Sequence, residues 1–298
     1  MALGLAMGII LIRYGELALK SRPVRLRFER TLMRNIEELF LLEGRECILS
    51  REWGRIMAHV KDDAAAGKIL RRVFGITSFS PAVECSSDKD EVAGVAGDAS
   101  KALLRDGQSF AIRARRNGTH PYSSQQLGAL AGSAVMEANK GRGIRVDLSD
   151  PDVEVFIEVR GKRAYVFADK FPGPGGLPMG TQGRVAALLG DDKSAAAAWL
   201  MMKRGCRVIA AGAGEDAKTA TEMLRSWVPG LKLHELEDAS PDGLARFARR
   251  RKAEALVVGS TYEELEKGIP VSDLPILFPL CGMGPEEIVG LIGKIRAG

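Results

Sequence analysis

Residues 184–212 read RVAALLGDDKSAAAAWLMMKRGCRVIAAG, and the change of period inside this stretch decides the architecture of the C-terminal half. Val185–Leu189 is a short apolar run of strand length, Lys193–Arg204 carries a helical pattern, and Val208–Ala211 is a second apolar run. The alternation continues outward through helical stretches at Thr219–Trp227, Leu244–Arg251, Tyr262–Lys267 and Glu286–Ile295. Apolar runs separate them at Leu231–Leu233, Ala255–Val258 and Ile276–Leu280. Strands that alternate with helices imply a parallel sheet covered by helices, with ligands at the carboxyl ends of the strands. Upstream, residues 171–183, FPGPGGLPMGTQG, hold five glycines and three prolines. That density suits neither a helix nor a central strand, and reads as an interdomain linker.

The front half has a different rhythm. A strand at 8–14 precedes a helix opened by Ser21 and Pro23, with Phe28, Leu32, Ile36, Leu39 and Phe40 on one face and Gly44 as its stop. Short strands near 46–50 and 54–60, a helix from Asp62-Asp63 to Gly75 and a strand at Ile76–Glu84 complete the order βαββαβ, the ferredoxin-like arrangement, over residues 1–84. A second α+β domain follows over residues 85–170. Its helices lie at 88–105 and after a Ser123/Gln126 capping box, and its strands at 109–115, 153–159 and 163–168.

Composition bounds the function. Of the 298 residues 46% are hydrophobic and 27% charged, an ordinary globular balance, and two or three domains are the expectation at this length. Residues 1–170 hold 27 Lys+Arg against 22 Asp+Glu, whereas residues 171–298 hold 16 of each, so the net charge of +5 sits entirely in the front. Such a surplus favours a polyanion, though it also suits solvated helix faces. Cys47, Cys85, Cys206 and Cys281 are too scattered for a zinc site or a disulfide framework, so no metal is expected and a reducing cytoplasm fits. Cys206 and Cys281, beside apolar runs, read as small buried hydrophobes rather than as a persulfide relay. The opening run Met1–Ile12 lacks a basic leader and reads as a buried first strand, and no apolar stretch reaches 18 residues.

Candidate binding residues cluster in the second α+β domain. Within Phe110–Arg116, Phe110, Ile112 and Ala114 share one strand face and Arg113 and Arg115 the other, with Arg116 at the end. Guanidinium forks suit phosphate oxygens. Lys140, Arg142 and Arg145 add charge around Gly141 and Gly143. Phe156 and Tyr165 could offer stacking surface to bases, but read first as cross-strand packing. Arg22, Arg25, Arg27, Arg30 and Arg34 on the first helix are equally a solvated face or a backbone-tracking patch.

LIRYGELALKSR at 11–22, RVFGITSFSPA at 72–82, VDLSDPDVEVFIEVR at 146–160, GPGGLPMGTQG at 173–183 and WLMMKRG at 199–205 resemble, in order, the signatures of the tRNA 4-thiouridine synthases. That resemblance implies a combination of α+β and α/β folds. A ferredoxin-like domain (1–84) and a THUMP RNA-binding domain (85–170) would precede the linker (171–183) and a Rossmann-like, adenine nucleotide α-hydrolase-like PP-loop domain (184–298). It also implies that the first two domains hold the acceptor end of tRNA while the third adenylates a uridine before sulfur transfer, which in this family serves thiouridine and thiamine thiazole formation.

The nucleotide loop departs from the family. SGGxDS is replaced by Leu189-Gly190-Asp191-Asp192-Lys193-Ser194, retaining only Gly190 and Ser194. Asp191 brings a Cβ and a negative charge to a loop that must present bare N–H groups to an anion, and Asp191 or Asp192 is placed to cap the helix beginning at Lys193, which would close the site. Downstream, PLxGxDKxEI becomes Pro279–Ile288 without the acid or the lysine, and Gly259–Tyr262 stands in place of a Gln-rich segment. The expectation is therefore a tRNA-binding protein with no cofactor, ATP and Mg²⁺ entering only where the altered loop still works. A separate sulfur donor or catalytic partner and a homodimer are compatible with it; a membrane is not. An active tRNA sulfurtransferase with an altered loop and a small-molecule enzyme or sensor are the alternatives. Retained RNA affinity separates the first two from the third.

Overall fold

The structure, a computed structural model, describes residues 8–15, 21–52 and 54–298. Residues 1–7 of the opening apolar run, and 16–20 of the motif at 11–22, lie outside the described residues. The chain runs through β1 (Gly8–Tyr14), α1 (Arg22–Leu42), β2 (Cys47–Glu52), β3 (Arg55–Val60), α2 (Asp63–Leu70) and β4 (Ile76–Ser86), the expected βαββαβ order. Then come α3 (Lys89–Leu103), β5 (Ser109–Asn117), α4 (Ser124–Ala138), β6 (Arg145–Val146), β7 (Val153–Arg160) and β8 (Arg163–Phe167). The remainder is β9 (Phe171–Pro172), β10 (Arg184–Leu189), α5 (Asp192–Lys203), β11 (Arg207–Gly212), α6 (Gly214–Arg225), β12 (Leu233–Glu235) and α7 (Pro241–Arg250). It closes with β13 (Ala255–Val257), α8 (Tyr262–Leu265), β14 (Ile276–Leu277) and α9 (Pro285–Ala297). The helix α6 begins five residues before the expected Thr219, because Glu215 and Asp216 in its first turn complement the helix dipole.

Two compact units divide the chain. The first holds the described residues up to Ile12 with Met57–Asp63 and Phe79–Phe171; the second holds the described part of Arg13–Ile56 with Ala64–Ser78 and Pro172–Gly298. In the first, β4, β8, β7, β5 and β6 are neighbours in that order. β7 is antiparallel to β8 but parallel to β5. Alternation along β7 sends Val155, Ile157 and Val159 into a core with Val92, Ala96, Leu127 and Val135 of α3 and α4. Phe156 points to the opposite face, where Ile9, Leu11, Tyr165 and Phe167 pack.

In the second unit the sheet order is β12-β11-β10-β13-β14, and the registered pairs are all parallel. Val185, Ala187 and Leu189 of β10 meet residues of α5, α6 and α9, while Ala186 and Leu188 meet Leu244, Phe247 and Ala248 of α7. Both faces are covered, which is what lets apolar runs sit centrally in a parallel sheet. The segment expected as a linker is bonded along its length rather than loose. Gly175 N–H donates to Ile76 O at 2.8 Å, Leu177 N–H to Lys203 O at 2.9 Å and Gly180 N–H to Gly205 O at 2.8 Å. Gly176 has φ +75, and a Cβ there would lie 2.1 Å from Lys203 O, so glycine serves close backbone approach rather than flexibility.

Candidate functional site

Edge geometry creates a concavity in the first unit. β6 pairs with β5 only at Ser109 and Phe110, so among the described residues the outer edge of β5 beyond Phe110 carries no further strand. α4 runs beside that edge with small residues toward it: a Cβ at Gly128 would meet Ala114 Cβ at 4.0 Å, and one at Gly132 would meet Ile112 Cγ1 at 3.9 Å. A groove of about 1540 Å³ results, lined among others by Arg113, Arg115, Lys140, Phe156 and Lys170. The rim loop 147–152 is pinned to β5. Asp152 accepts the N–H and the hydroxyl of Ser109, both at 2.7 Å, and these bonds hold its carboxyl below the ordinary range.

The six cations expected to bind divide into two sets. Arg115 is exposed and, among the described residues, meets no carboxylate; Lys140 is exposed with only Glu137 at 3.7 Å; Arg113 bonds Glu154 at 2.6 Å and the Leu148 carbonyl at 3.0 Å. These three line the groove. Arg116 instead turns to the Tyr122 ring, 5.6 Å from its centroid. Arg142 bonds Asp106 at 2.8 Å and the carbonyls of Lys101 at 3.2 Å and Leu104 at 2.5 Å, which makes it a brace for the turn. Arg145 donates to Gly107 O at 2.9 Å. Lys170, not anticipated, stands 3.3 Å from the Phe156 ring centroid on the groove wall. The spacing Ser124-Gly128-Gly132, one small residue per helical turn, was the available signal for the helical wall. Tyr165 is fully buried and Phe156 stacks on Phe167 at 5.3 Å, so both pack across strands as expected. On α1, Arg25 reaches Glu29 at 3.8 Å and Arg34 reaches Glu38 at 3.9 Å, which commits part of that basic face to intrahelical pairs.

In the second unit the loop after β10 is self-satisfied. Asp191 is the N-cap of α5, its carboxylate accepting Ser194 N–H at 2.7 Å. The Ser194 hydroxyl oxygen in turn accepts the N–H groups of Gly190 and Asp191, each at 3.0 Å. Lys193 pairs with Glu264 of α8, and Asp192 with Arg296 of α9. The bond from Lys193, with that from Thr261 N–H, holds the Glu264 carboxyl below its usual range. A Cβ on Gly259 would lie 2.6 Å from Ser194 N, so the Gly259 backbone packs directly on the start of α5. A shallow hollow remains, lined by Gly190, Asp191, Asp192, Lys193, Asp216, Thr219 and Ala220.

Cys206 is buried as expected, and burial raises its thiol pKa; Cys281 is exposed, contrary to expectation, because the chain turns outward after Leu280. Among the described residues no three His, Cys, Asp or Glu side chains converge as metal ligands, and no helix is long and apolar enough to cross a membrane.

Comparison with known proteins gives these features a family. Residues 9–80 match the ThiI ferredoxin-like domain and residues 87–169 the THUMP domain. A probable tRNA sulfurtransferase of Methanosarcina acetivorans is 41% identical over 74% of this chain, which spans 57% of that relative's length. One from Methanosarcina mazei is 40% identical over 96% of this chain and 82% of its own length. A 4-thiouridine synthetase solved as an RNA complex with bound ATP superposes with a TM-score of 0.81 at 25% identity, covering 97% of this chain and 85% of that one. By its ferredoxin-like and THUMP domains, its C-terminal parallel sheet and this likeness along the chain, the protein belongs to the ThiI-type tRNA sulfurtransferase family.

Proposed function

We propose that this chain binds tRNA through its THUMP groove and does not itself adenylate uridine. The observation that carries the second half is the closed hydrogen-bond ring of Gly190, Asp191 and Ser194. A phosphate loop works by offering free N–H donors at a helix N-terminus. Here three of those donors already have acceptors within the loop, and the Asp191 carboxylate adds like charge, worth about 1 kcal/mol at 4 Å in water and several where water is partly excluded. Likeness to an RNA-bound relative, together with Arg113, Arg115, Lys140 and Lys170 along one groove, supports the first half. Guanidinium and ammonium groups with little exposed aromatic surface suit phosphate and 2′-hydroxyl contacts at the acceptor end more than base-sequence readout.

Calorimetry with ATP and Mg²⁺ tests the reading, with no measurable binding expected. Low-micromolar ATP affinity, or AMP release in the presence of tRNA, would instead establish an active sulfurtransferase. Restoring the family loop with Leu189→Ser, Asp191→Gly and Lys193→Asp together should recover nucleotide affinity without turnover, since Gly284 and Pro285 occupy the positions of the downstream acid and lysine.

A further inference from the structure

The neutral total of residues 171–298 hides a local excess of positive charge. Between Arg246 and Lys252 five of seven residues are cationic, and all five side chains are exposed. Arg246 is paired with Asp238 and Arg249 with Asp273. Among the described residues no carboxylate pairs with Arg250 or Lys252, nor with Lys232 beside β12. Arg251 donates to His234 Nδ1 at 3.1 Å and lies 5.6 Å over the Phe247 ring, which itself sits 5.5 Å from the His234 ring. These contacts gather Lys232, His234 and the end of α7 into one patch at the β12 edge of the sheet.

The backbone supplies an independent observation. Lys252 has φ 55, the sole non-glycine residue with positive φ among the described residues. It lies just past α7, where the left-handed conformation ordinarily selects glycine. A lysine held there keeps a cation in a place where backbone sterics alone would remove it, and such a departure points to a use for the charge. The field of the patch is visible at His234, whose pKa is lowered by burial first and then by Arg251 and Lys232.

Resting on the tRNA-binding reading above, we infer that this cationic edge of the second unit is a second tRNA contact, separate from the groove, that engages phosphates of a duplex stem. Charge complementarity selects the polyanion. Phe247 is buried beneath Arg251, so that ring is closed to an unpaired base, and the exposed cations address the backbone. Arg249 and Arg250 also complement the helix dipole in the last turn of α7. That role accounts for neither Lys252 nor Lys232.

The test is tRNA affinity as a function of salt for the full chain carrying Lys232→Gln, Arg250→Gln and Lys252→Gly, with Arg115→Ala in the groove as comparator. Lys252→Gly relaxes the backbone, so the triple variant should melt no lower than the parent. Its tRNA affinity should fall about tenfold, and the slope of log K against log salt should lose about 0.9 per phosphate contact, two to three units in all. In the parent protein, binding should raise the His234 imidazole pKa as phosphates offset Arg251 and Lys232, read by proton NMR. An unchanged slope in the triple variant with weakened binding by Arg115→Ala would leave the groove standing and overturn the patch. The converse would sustain the patch and remove the groove reading. Competition by polyglutamate as strong as by an RNA duplex of equal charge would overturn the patch in favour of an acidic polypeptide.

Discussion

Asp191 caps α5, and its carboxylate takes the Ser194 N–H, a donor that on the proposed reading a phosphate would need. Replacing it with alanine removes the cap at a cost of about 1 kcal/mol, which for a chain of this size lowers the melting temperature by roughly 2–4 °C. Asp191→Gly should cost only a few tenths of that, since glycine is tolerated at an N-cap, while it frees Ser194 N–H. A thermal melt of both variants checks the order, and equal losses would show that the carboxylate is not the cap. The aspartate and a cap by it or by Asp192 were legible in the sequence, and the structure gives the cap to Asp191; the two N–H groups taken by the Ser194 hydroxyl were not, because Ser194 appeared there only as a retained family residue. Arg113 and Arg115 were likewise legible from alternation along one strand, with Arg113 further engaged by Glu154. Arg142 was not, since besides Asp106 it bonds the backbone carbonyls of Lys101 and Leu104, about forty residues away in sequence. No side-chain pattern records such acceptors.

At the scale of elements, α4 and the open edge of β5 make the groove together. Gly128 and Gly132 are interior helical positions, where glycine is normally less stable than alanine by roughly 0.5–1 kcal/mol each. A Cβ at either would reach only ordinary van der Waals contact, at 4.0 and 3.9 Å. The double change Gly128→Ala, Gly132→Ala should therefore stabilise the protein by roughly 1–2 kcal/mol while narrowing the groove and weakening tRNA binding severalfold. Opposite signs in a denaturant titration and a binding assay are the expected result; unchanged tRNA affinity would place the RNA elsewhere. Strand and helix order was readable because each element keeps one period over several residues, as in Val153–Val159 and Val185–Leu189. The edge character of β5 depends on how far β6 extends, and a two-residue strand leaves almost no pattern. In the segment 171–183 the same glycines that suggested looseness permit close backbone contacts, since composition cannot separate the two uses of glycine.

Across the whole molecule, charge and binding must agree. Summing charge by halves located the surplus in residues 1–170 but averaged away the run at 246–252 against acidic residues elsewhere in the second half. A binder that reads shape and phosphate should prefer a structured acceptor stem to a flexible strand of equal length. An acceptor-stem minihelix should accordingly displace whole tRNA better than a short unstructured oligonucleotide, and equal displacement would defeat shape recognition. The same protein, with its nucleotide loop closed on itself, should also bind tRNA with an affinity independent of ATP. The argument is linkage: if ATP bound and altered RNA affinity by some factor, RNA would alter ATP affinity by the same factor, so coupling requires an occupied loop. Titrating labelled tRNA with and without ATP, at matched ionic strength and free Mg²⁺, should give superimposable curves in the parent protein. A shift that vanishes when Gly190→Glu puts a further negative charge in the loop, where a Cβ meets nothing within 4 Å, would mean that the loop still takes nucleotide, and that the chain couples nucleotide and RNA as one catalytic unit.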